Sequence, residues 1–360
     1  MDFDLKSLFG TKTPPLIGVD ISTSGIKIVE LSMSDKGVVQ LECFASEPIP
    51  RGAIVDGGIE NLEQVSDALQ LAWRKSGTNV KNVALAMPSA AVITKKVVMP
   101  DDLSDDEMSF QVESEARQYI PFGLDEVNLD YYKIGPSLVS PGDADVMLAA
   151  ARKEKVEDRI AIAESAGLKP VVMDIESYAA HSATNRVDAL TSKEKSGQIV
   201  ALFRIGSLST HLSVLIDGEA VYEREQAFGG NQLTQDIVRA YGLAYEEAEM
   251  KKKAGSFPED YQKTILRPFM ENIAQEITRA IQFFFTSSPY TRVDTIYLAG
   301  GCANIDGLSD LISSRTRVKT SVINPFKGIL LASRVKERLL QSEEPSYLVA
   351  CGLAMRRFDK

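Results

Sequence analysis

Two stretches of this chain place polar, ligand-facing chemistry at a turn between two strand-like runs. The first, Gly18-Val19-Asp20-Ile21-Ser22-Thr23-Ser24-Gly25-Ile26-Lys27, sets a carboxylate, several hydroxyls and an ammonium around one turn. The second is Ile205-Gly206-Ser207-Leu208-Ser209-Thr210. Tight turns concentrate oriented N–H and hydroxyl donors, so two of them facing each other across a cleft suit a polyphosphate. Taken singly, each reads equally well as a plain surface hairpin. Further along come the glycine pair of Phe228-Gly229-Gly230-Asn231-Gln232-Leu233-Thr234, then Glu249 with Lys252, then Leu298-Ala299-Gly300-Gly301-Cys302-Ala303-Asn304. Paired glycines at a strand-to-helix turn let a flat ring approach the backbone, which suits a purine. Glu249 and Lys252 read equally as a solvated helical face. Neither GxxxxGK[ST] nor GxGxxG occurs, so a P-loop or Rossmann phosphate site finds no support.

Other reactive side chains lack partners at useful spacing. His181 and His211 are the only histidines and belong to no HExxH or carboxylate-spaced set. Cys43, Cys302 and Cys351 lie far apart and read as reduced packing residues. Phe283, Phe284 and Phe285 read as core, and the acidic run Asp105, Asp106, Glu107, Glu113 and Glu115 as a solvated helix face.

The elements that must hold these residues alternate between strand and helix periods. Leu16 to Asp20 and Ile26 to Leu31 read as paired strands, Leu62 to Trp73 as a helix and Val83 to Met87 as a strand. From Pro88 to about residue 150, prolines punctuate short strands around one acidic helix that is capped near Ser104 and continues to Tyr119. This reads as a small inserted subdomain. A helix stopped by Gly167, the strand Pro170 to Asp174 and a helix from about Glu176 follow. Leu190 to Gly197 is the best linker candidate. Behind it the opening pattern restarts, with strands Ile199 to Phe203, His211 to Ile216 and Glu219 to Glu225. Helices are expected around Leu233 to Tyr241, Tyr245 to Lys253 and Ile265 to Phe284, then a strand Thr295 to Leu298 and a terminal helix Ser346 to Phe358. Laying Asp20-Ile21-Ser22-Thr23 over Arg204-Ile205-Gly206-Ser207 keeps the turns in register and suggests two related lobes.

Composition sets the outer bounds. Three hundred and sixty residues, 44% hydrophobic and 25% charged, describe an ordinary globular chain of about two domains. Forty basic against fifty acidic residues give a net charge of -10, which argues against nucleic acid as a partner. The acidic start Met1-Asp2-Phe3-Asp4-Leu5 does not suit a signal peptide, and no apolar run approaches the roughly 18 residues of a spanning helix, so a cytosolic address is expected.

The order of the pieces resembles the actin-like ATPase superfamily, which includes actin, Hsp70, sugar kinases and the division protein FtsA. Within it the chain more closely resembles the PilM family of type IV pilus assembly. The residues that carry the likeness are Leu16-Ile17-Gly18-Val19-Asp20, Lys27-Ile28-Val29-Glu30-Leu31, Glu225 to Thr234, Gln282-Phe283-Phe284-Phe285, Leu298 to Gly301 and Leu348 to Arg356. The resemblance spans essentially the whole chain. It implies two related α/β lobes around a nucleotide cleft: residues 1–190 with 342–360 in the first, carrying an inserted subdomain at about 88–150, and 191–341 in the second. It implies ATP as ligand, with Thr23, Ser24 and Lys27 on the phosphates and Asp20 near a metal through water. Gly206, Ser207 and Ser209 would line the opposite turn, Gly229, Gly230 and Thr234 the ribose, Glu249 and Lys252 the adenosine, and Gly300 and Gly301 the purine.

The family role this implies is a scaffold at the cytoplasmic face of the inner membrane. It would receive the cytoplasmic N-terminal tail of PilN in a groove formed by the first lobe and its insert; self-association is a further expectation. Two alternatives stay open: an FtsA-like division protein, against which the absence of a spare C-terminal tail speaks, and a small-molecule kinase, which would need a carboxylate base that no Asp context supplies. One position departs from the superfamily. Where actin-like proteins place a second Asp to hold hydrated Mg²⁺, the register puts Arg204 opposite Asp20. A guanidinium there disfavours the metal and is expected to pair with Asp20 or fork onto phosphate oxygens, with hydrolysis slow or absent. The bland alternative turns Arg204 away from the cleft.

Overall fold

The computed structural model describes residues 14–137, 139–191 and 197–359. The first strands are β1 (Ile17–Ser22), β2 (Gly25–Met33) and β3 (Val39–Pro48), followed by the small hairpin β4 (Ile54–Val55) and β5 (Gly58–Ile59). Helix α1 (Leu62–Ser76) starts where the Asn61 side chain accepts the Gln64 amide and stops at Gly77 in the left-handed region, φ 68°. Strand β6 (Asn82–Met87) follows. The chain then makes β7 (Val92–Pro100), α2 (Asp105–Ala116), β8 (Val127–Pro136) and β9 (Asp143–Arg152), and returns through α3 (Lys153–Ser165), β10 (Lys169–Ile175) and α4 (Glu176–Thr191). The second lobe runs through β11 (Ile199–Ile205), β12 (Thr210–Ile216), β13 (Glu219–Gln226), α5 (Gly230–Tyr241), α6 (Tyr245–Ala254), α7 (Arg267–Ser287), β14 (Thr295–Ala299), α8 (Leu308–Thr316) and β15 (Lys319–Val322). Last come β16 (Leu330–Leu331), α9 (Glu337–Glu343) and α10 (Leu348–Met355).

The two main sheets share one plan. In the first, β3, β2 and β1 are antiparallel neighbours and β6 and β10 continue parallel to β1. In the second, β13, β12 and β11 are antiparallel and β14 and β15 continue parallel to β11. Ile17 and Val19 are fully buried, as are Leu202 and Ile205, because both faces of each opening strand are covered; such strands read as apolar runs rather than alternations. The insert forms its own three-stranded sheet, β7-β9-β8, whose apolar face (Val97, Met99, Val146, Leu148) packs on Met108, Val112 and Ala116 of α2. Ser104 caps α2 in a reciprocal box with Glu107. The helix ends at Ala116 rather than reaching Tyr119.

Between the main sheets lies an apolar layer built from both. Ala179, Ala180, Ala183 and Val187 of α4 and Leu348, Val349 and Leu353 of α10 pack with Val200, Leu202 and Leu215 of the second sheet. The helices touch backbone to backbone: a Cβ on Gly352 would stand 1.8 Å from the Ala179 carbonyl oxygen. Gly18 does the same for β1, where a Cβ would stand 2.1 Å from the Ala350 oxygen.

Several elements differ from the sequence reading. Strand β3 was not foreseen, although Leu41, Cys43 and Ala45 alternate inward along it. Nor were α8, β15, β16 and α9. Strand β16 pairs parallel with β3, so residues 330–331 already belong to the first sheet, ahead of the return expected at 342. The reason is local: two residues suffice to add an edge strand, and so short a run carries no periodicity. Helix α4 extends to Thr191, so Leu190 and Thr191 are helical, and most of the linker candidate, 192–196, lies outside the described residues. Phe284 is fully buried, whereas Phe283 is 43% exposed beneath Arg224, 4.1 Å from the ring centre.

Candidate functional site

Strands β1 and β2 meet at a turn made by Thr23 and Ser24, with Ser22 opposite Gly25. The Ser22 hydroxyl donates to the Gly25 carbonyl at 2.8 Å and so closes the turn upon itself. Thr23 is half-buried and Ser24 exposed. Two residues back, Asp20 faces Lys27 across the ladder, and Lys27 Nζ lies 4.0 Å from Asp20 Oδ2.

Asp20 belongs to a buried charge cluster between the lobes. Arg204, one residue before the end of β11, donates from Nη1 to Glu176 Oε1 at 2.5 Å, and Glu176 is the first residue of α4. Arg204 therefore pairs with Glu176 and not with Asp20 as expected, and it does not turn away: it is 7% exposed and close enough to Asp20 to act on its charge. Arg159 of α3, 2% exposed, adds a third cation. Burial pushes the Asp20 carboxyl above its ordinary range; Lys27 opposes this, Glu176 reinforces it, and Arg204 and Arg159 oppose it in turn. For Glu176, burial pushes the same way, but Arg204, helped by Arg159, outweighs it and holds the carboxyl below its ordinary range. Burial, with Arg204 adding to it, depresses His211 and brings His181 down to about 3, so both rings are neutral at physiological pH.

The second turn, Gly206 to Ser209, is longer and tied down elsewhere. The Gly206 amide donates to the Ser209 carbonyl at 2.9 Å, and the Ser209 hydroxyl lies 3.1 Å from His211 Nε2. The first amides of α5 lock onto this turn: Gly230 donates to Gly206 O at 2.9 Å and Asn231 to Ser207 O at 2.8 Å. A Cβ at Gly229 would stand 2.5 Å from Ser207 O and 2.6 Å from Gly206 O, and one at Gly230 would stand 2.8 Å from Cys302 Sγ. These two glycines thus admit neighbouring protein in the Cβ direction, backbone at 229 and a thiol at 230. Gly300 behaves alike: it has φ 90°, and a Cβ there would meet Ile205 O at 2.3 Å. Gly301 alone of the four has open space around its Cβ position.

Glu249 and Lys252 are drawn inward from the helical face on which they lie. Lys252 Nζ donates to Thr234 Oγ1 at 2.6 Å and to Glu249 Oε1 at 2.5 Å, and reaches Gly230 O at 3.4 Å; the Thr234 hydroxyl also bonds Glu249. Tyr245, which opens α6, donates to Asn231 Oδ1 at 2.8 Å, and Arg51 of the first lobe stacks 4.6 Å above its ring. That contact links the two lobes.

The structure brings Asp20 and Lys27 together at one turn, Gly206, Ser207, Gly229 and Gly230 at the other, and Thr234, Glu249 and Lys252 beside the second. Sequence reasoning missed Glu176, Arg159 and Arg51. A signal existed for Glu176: an acid directly after a parallel strand, at the carboxyl end where ligands of α/β sheets collect. The donor set does not fit a divalent cation. Each carboxylate already faces a cation, Asp20 toward Lys27 and Glu176 toward Arg204. No group of three His, Cys, Asp or Glu side chains among the described residues could hold a metal ion.

Residues 18–358 match the family model described as type IV pilus assembly protein PilM. The chain belongs to that family. A solved PilM–PilN type IV pilus biogenesis complex contains a chain 29% identical to this one, with a TM-score of 0.78, covering 96% of this chain and 99% of that one. The ethanolamine utilization protein EutJ of Carboxydothermus hydrogenoformans, 17% identical over 95% of this chain and 89% of its own, shares the fold at a TM-score of 0.56. The cell division protein FtsA of Bacillus subtilis is 24% identical over 261 residues, or 66% of this chain and 57% of FtsA. The match thus spans little more than half the length of that relative. The actin-like fold with two lobes of one plan follows from these likenesses and from the sheets themselves.

Proposed function

We propose that this family member is a nucleotide-binding scaffold of the type IV pilus machine, working at the cytoplasmic face of the inner membrane. ATP would sit between the lobes, with Thr23, Ser24 and Lys27 on one side and Gly206, Ser207 and Ser209 on the other. Thr234, Glu249, Lys252 and Gly301 flank the nucleoside. Gly229, Gly230 and Gly300 serve this site by letting the second turn pack tightly. The first lobe and its β7-β9-β8 insert would receive the extended cytoplasmic tail of a PilN-type partner. One observation carries the reading: the fold and sequence of nearly the whole chain follow those of a protein solved in a PilM–PilN complex. Among the described residues no helix is long and apolar enough to cross a membrane, so attachment through a partner suits this chain.

ATP in this role is a structural or switching ligand. Phosphoryl transfer needs a positioned metal and an oriented water, and the carboxylates that could arrange either are paired with cations. The test is retention of a PilN-tail peptide by the full chain, with and without ATP. Capture that strengthens with ATP is expected; absence of capture in both conditions sinks the docking reading. A deletion strain should lose twitching motility without filamenting, and filamentation would point instead to an FtsA-like role in division.

A further inference from the structure

Lys27, Arg159 and Arg204 stand against Asp20 and Glu176 around the inner end of the cleft, and Asp158 also acts on Arg159. His181 and His211 beside it are neutral, and Glu225 lies at the rim, 3.5 Å from His211 and 43% exposed. Arg204 spends Nη1 on Glu176, yet its Nε–H is buried without an acceptor. A buried donor without an acceptor is destabilising, and that cost is removed when an anionic oxygen arrives. A guanidinium 2.5 Å from Glu176 Oε1 repels a divalent cation from that carboxylate and already neutralises its charge.

We infer that this cleft takes a nucleoside polyphosphate without a divalent cation, Arg204 and Lys27 supplying the charge that Mg²⁺ supplies elsewhere. The inference rests on the nucleotide reading proposed above and adds to it the ionic form of the ligand. Arg204 is suited to the task because its fork can hold Glu176 with one arm and a phosphate oxygen with another. A free polyphosphate also carries more negative charge than its Mg²⁺ complex and so gains more from these two cations.

Calorimetric titration of ATP into the full chain, in EDTA and in excess Mg²⁺, decides the matter on the wild type alone. The expected result is a dissociation constant in EDTA equal to that in Mg²⁺, or up to about tenfold tighter. Binding that weakens by about tenfold or more in EDTA overturns the inference and leaves the nucleotide reading standing. No binding in either buffer overturns both. Arg204→Asp sharpens the result: it should lose binding in EDTA and regain part of it with Mg²⁺. A melting curve without nucleotide checks that the variant is folded, and Arg204→Gln, which keeps the side chain's length but not its charge, should lose binding in EDTA without the Mg²⁺-dependent recovery. An Arg204→Asp protein that is folded and binds ATP in EDTA like the wild type would count against the assignment of Arg204.

Discussion

The turns that end the opening strand pair of each sheet are built on one plan but anchored in different ways. The first, at Thr23-Ser24, closes through Ser22 and Gly25 and takes one bond from outside the hairpin, the Ile49 amide donating to the Ser24 carbonyl at 3.4 Å. The second, at Gly206 to Ser209, is held by the start of α5, its carbonyls taken by the amides of Gly230 and Asn231. The strands behind them differ in charge as well. Asp20 meets its cation within the hairpin, whereas Arg204 reaches out of its sheet to Glu176 on α4. One plan of sheet therefore supports a loop tied only to the neighbouring strand's end on one side and a loop wired into the helices on the other. Damage at the second turn should spread through the fold, while damage at the first should stay local.

The largest expected effect comes from Arg204→Met, which leaves Glu176 without its partner beside a buried cluster. It should cost about 3 kcal/mol in urea unfolding near neutral pH, against about 1 kcal/mol or less for Lys27→Met. Similar losses in both would erase the distinction between the turns. Gly229→Ala, whose Cβ would press on two carbonyl oxygens of the second turn, should cost about 2–3 kcal/mol, while Ser24→Ala, which alters only an exposed side chain, should stay within about 0.5 kcal/mol.

The contrast between the turns was partly legible in the residues. Asp20, Lys27 and the hydroxyls around Gly25 announced the first turn because every partner lies within ten positions. The sequence also placed Arg204 where a carboxylate was expected. Its partner was not readable: Glu176 precedes it by 28 positions on a different element, and no local spacing signals a pairing made only when two lobes pack. The glycines were recognised, but what fills the place of a Cβ at Gly229 or Gly300, carbonyl oxygen from a distant strand or turn, was not readable. Strand β16 escaped because two residues show no period.

Ligand affinity separates the turns next. Lys27→Ala should weaken ATP binding by about tenfold, and Lys252→Ala by about threefold, because Lys27 faces the phosphate turn while Lys252 is engaged with Thr234 and Glu249. Equal losses by calorimetry would undo the assignment of phosphates to the first turn.

The smallest and most discriminating contrast is in pH. Burial raises the folded pKa of Asp20, so its charged form is a cost of folding that appears as pH rises above the ordinary carboxylate range. Asp20→Asn should stabilise the nucleotide-free chain at neutral pH, and the gain should vanish in acid. Arg204 lowers the folded pKa of Glu176, so its stabilisation is present above the unfolded carboxylate pKa and is lost as pH falls through the folded one. Glu176→Gln should therefore destabilise at neutral pH and converge on the wild type in acid. Urea midpoints across the acid range check both signs, and shifts of the same sign would contradict the charge map.

The central claim is that one ligand is shared by two turns from different lobes. Hydrogen exchange on the full chain, with and without ATP, tests it directly, because amides at 23–25 and at 206–209 report on the two sides separately. The account predicts slower exchange at both turns on adding ATP, together with the start of α6 where Arg51 of the first lobe meets Tyr245. Protection confined to one turn, or absent from both while ATP is bound, would contradict it.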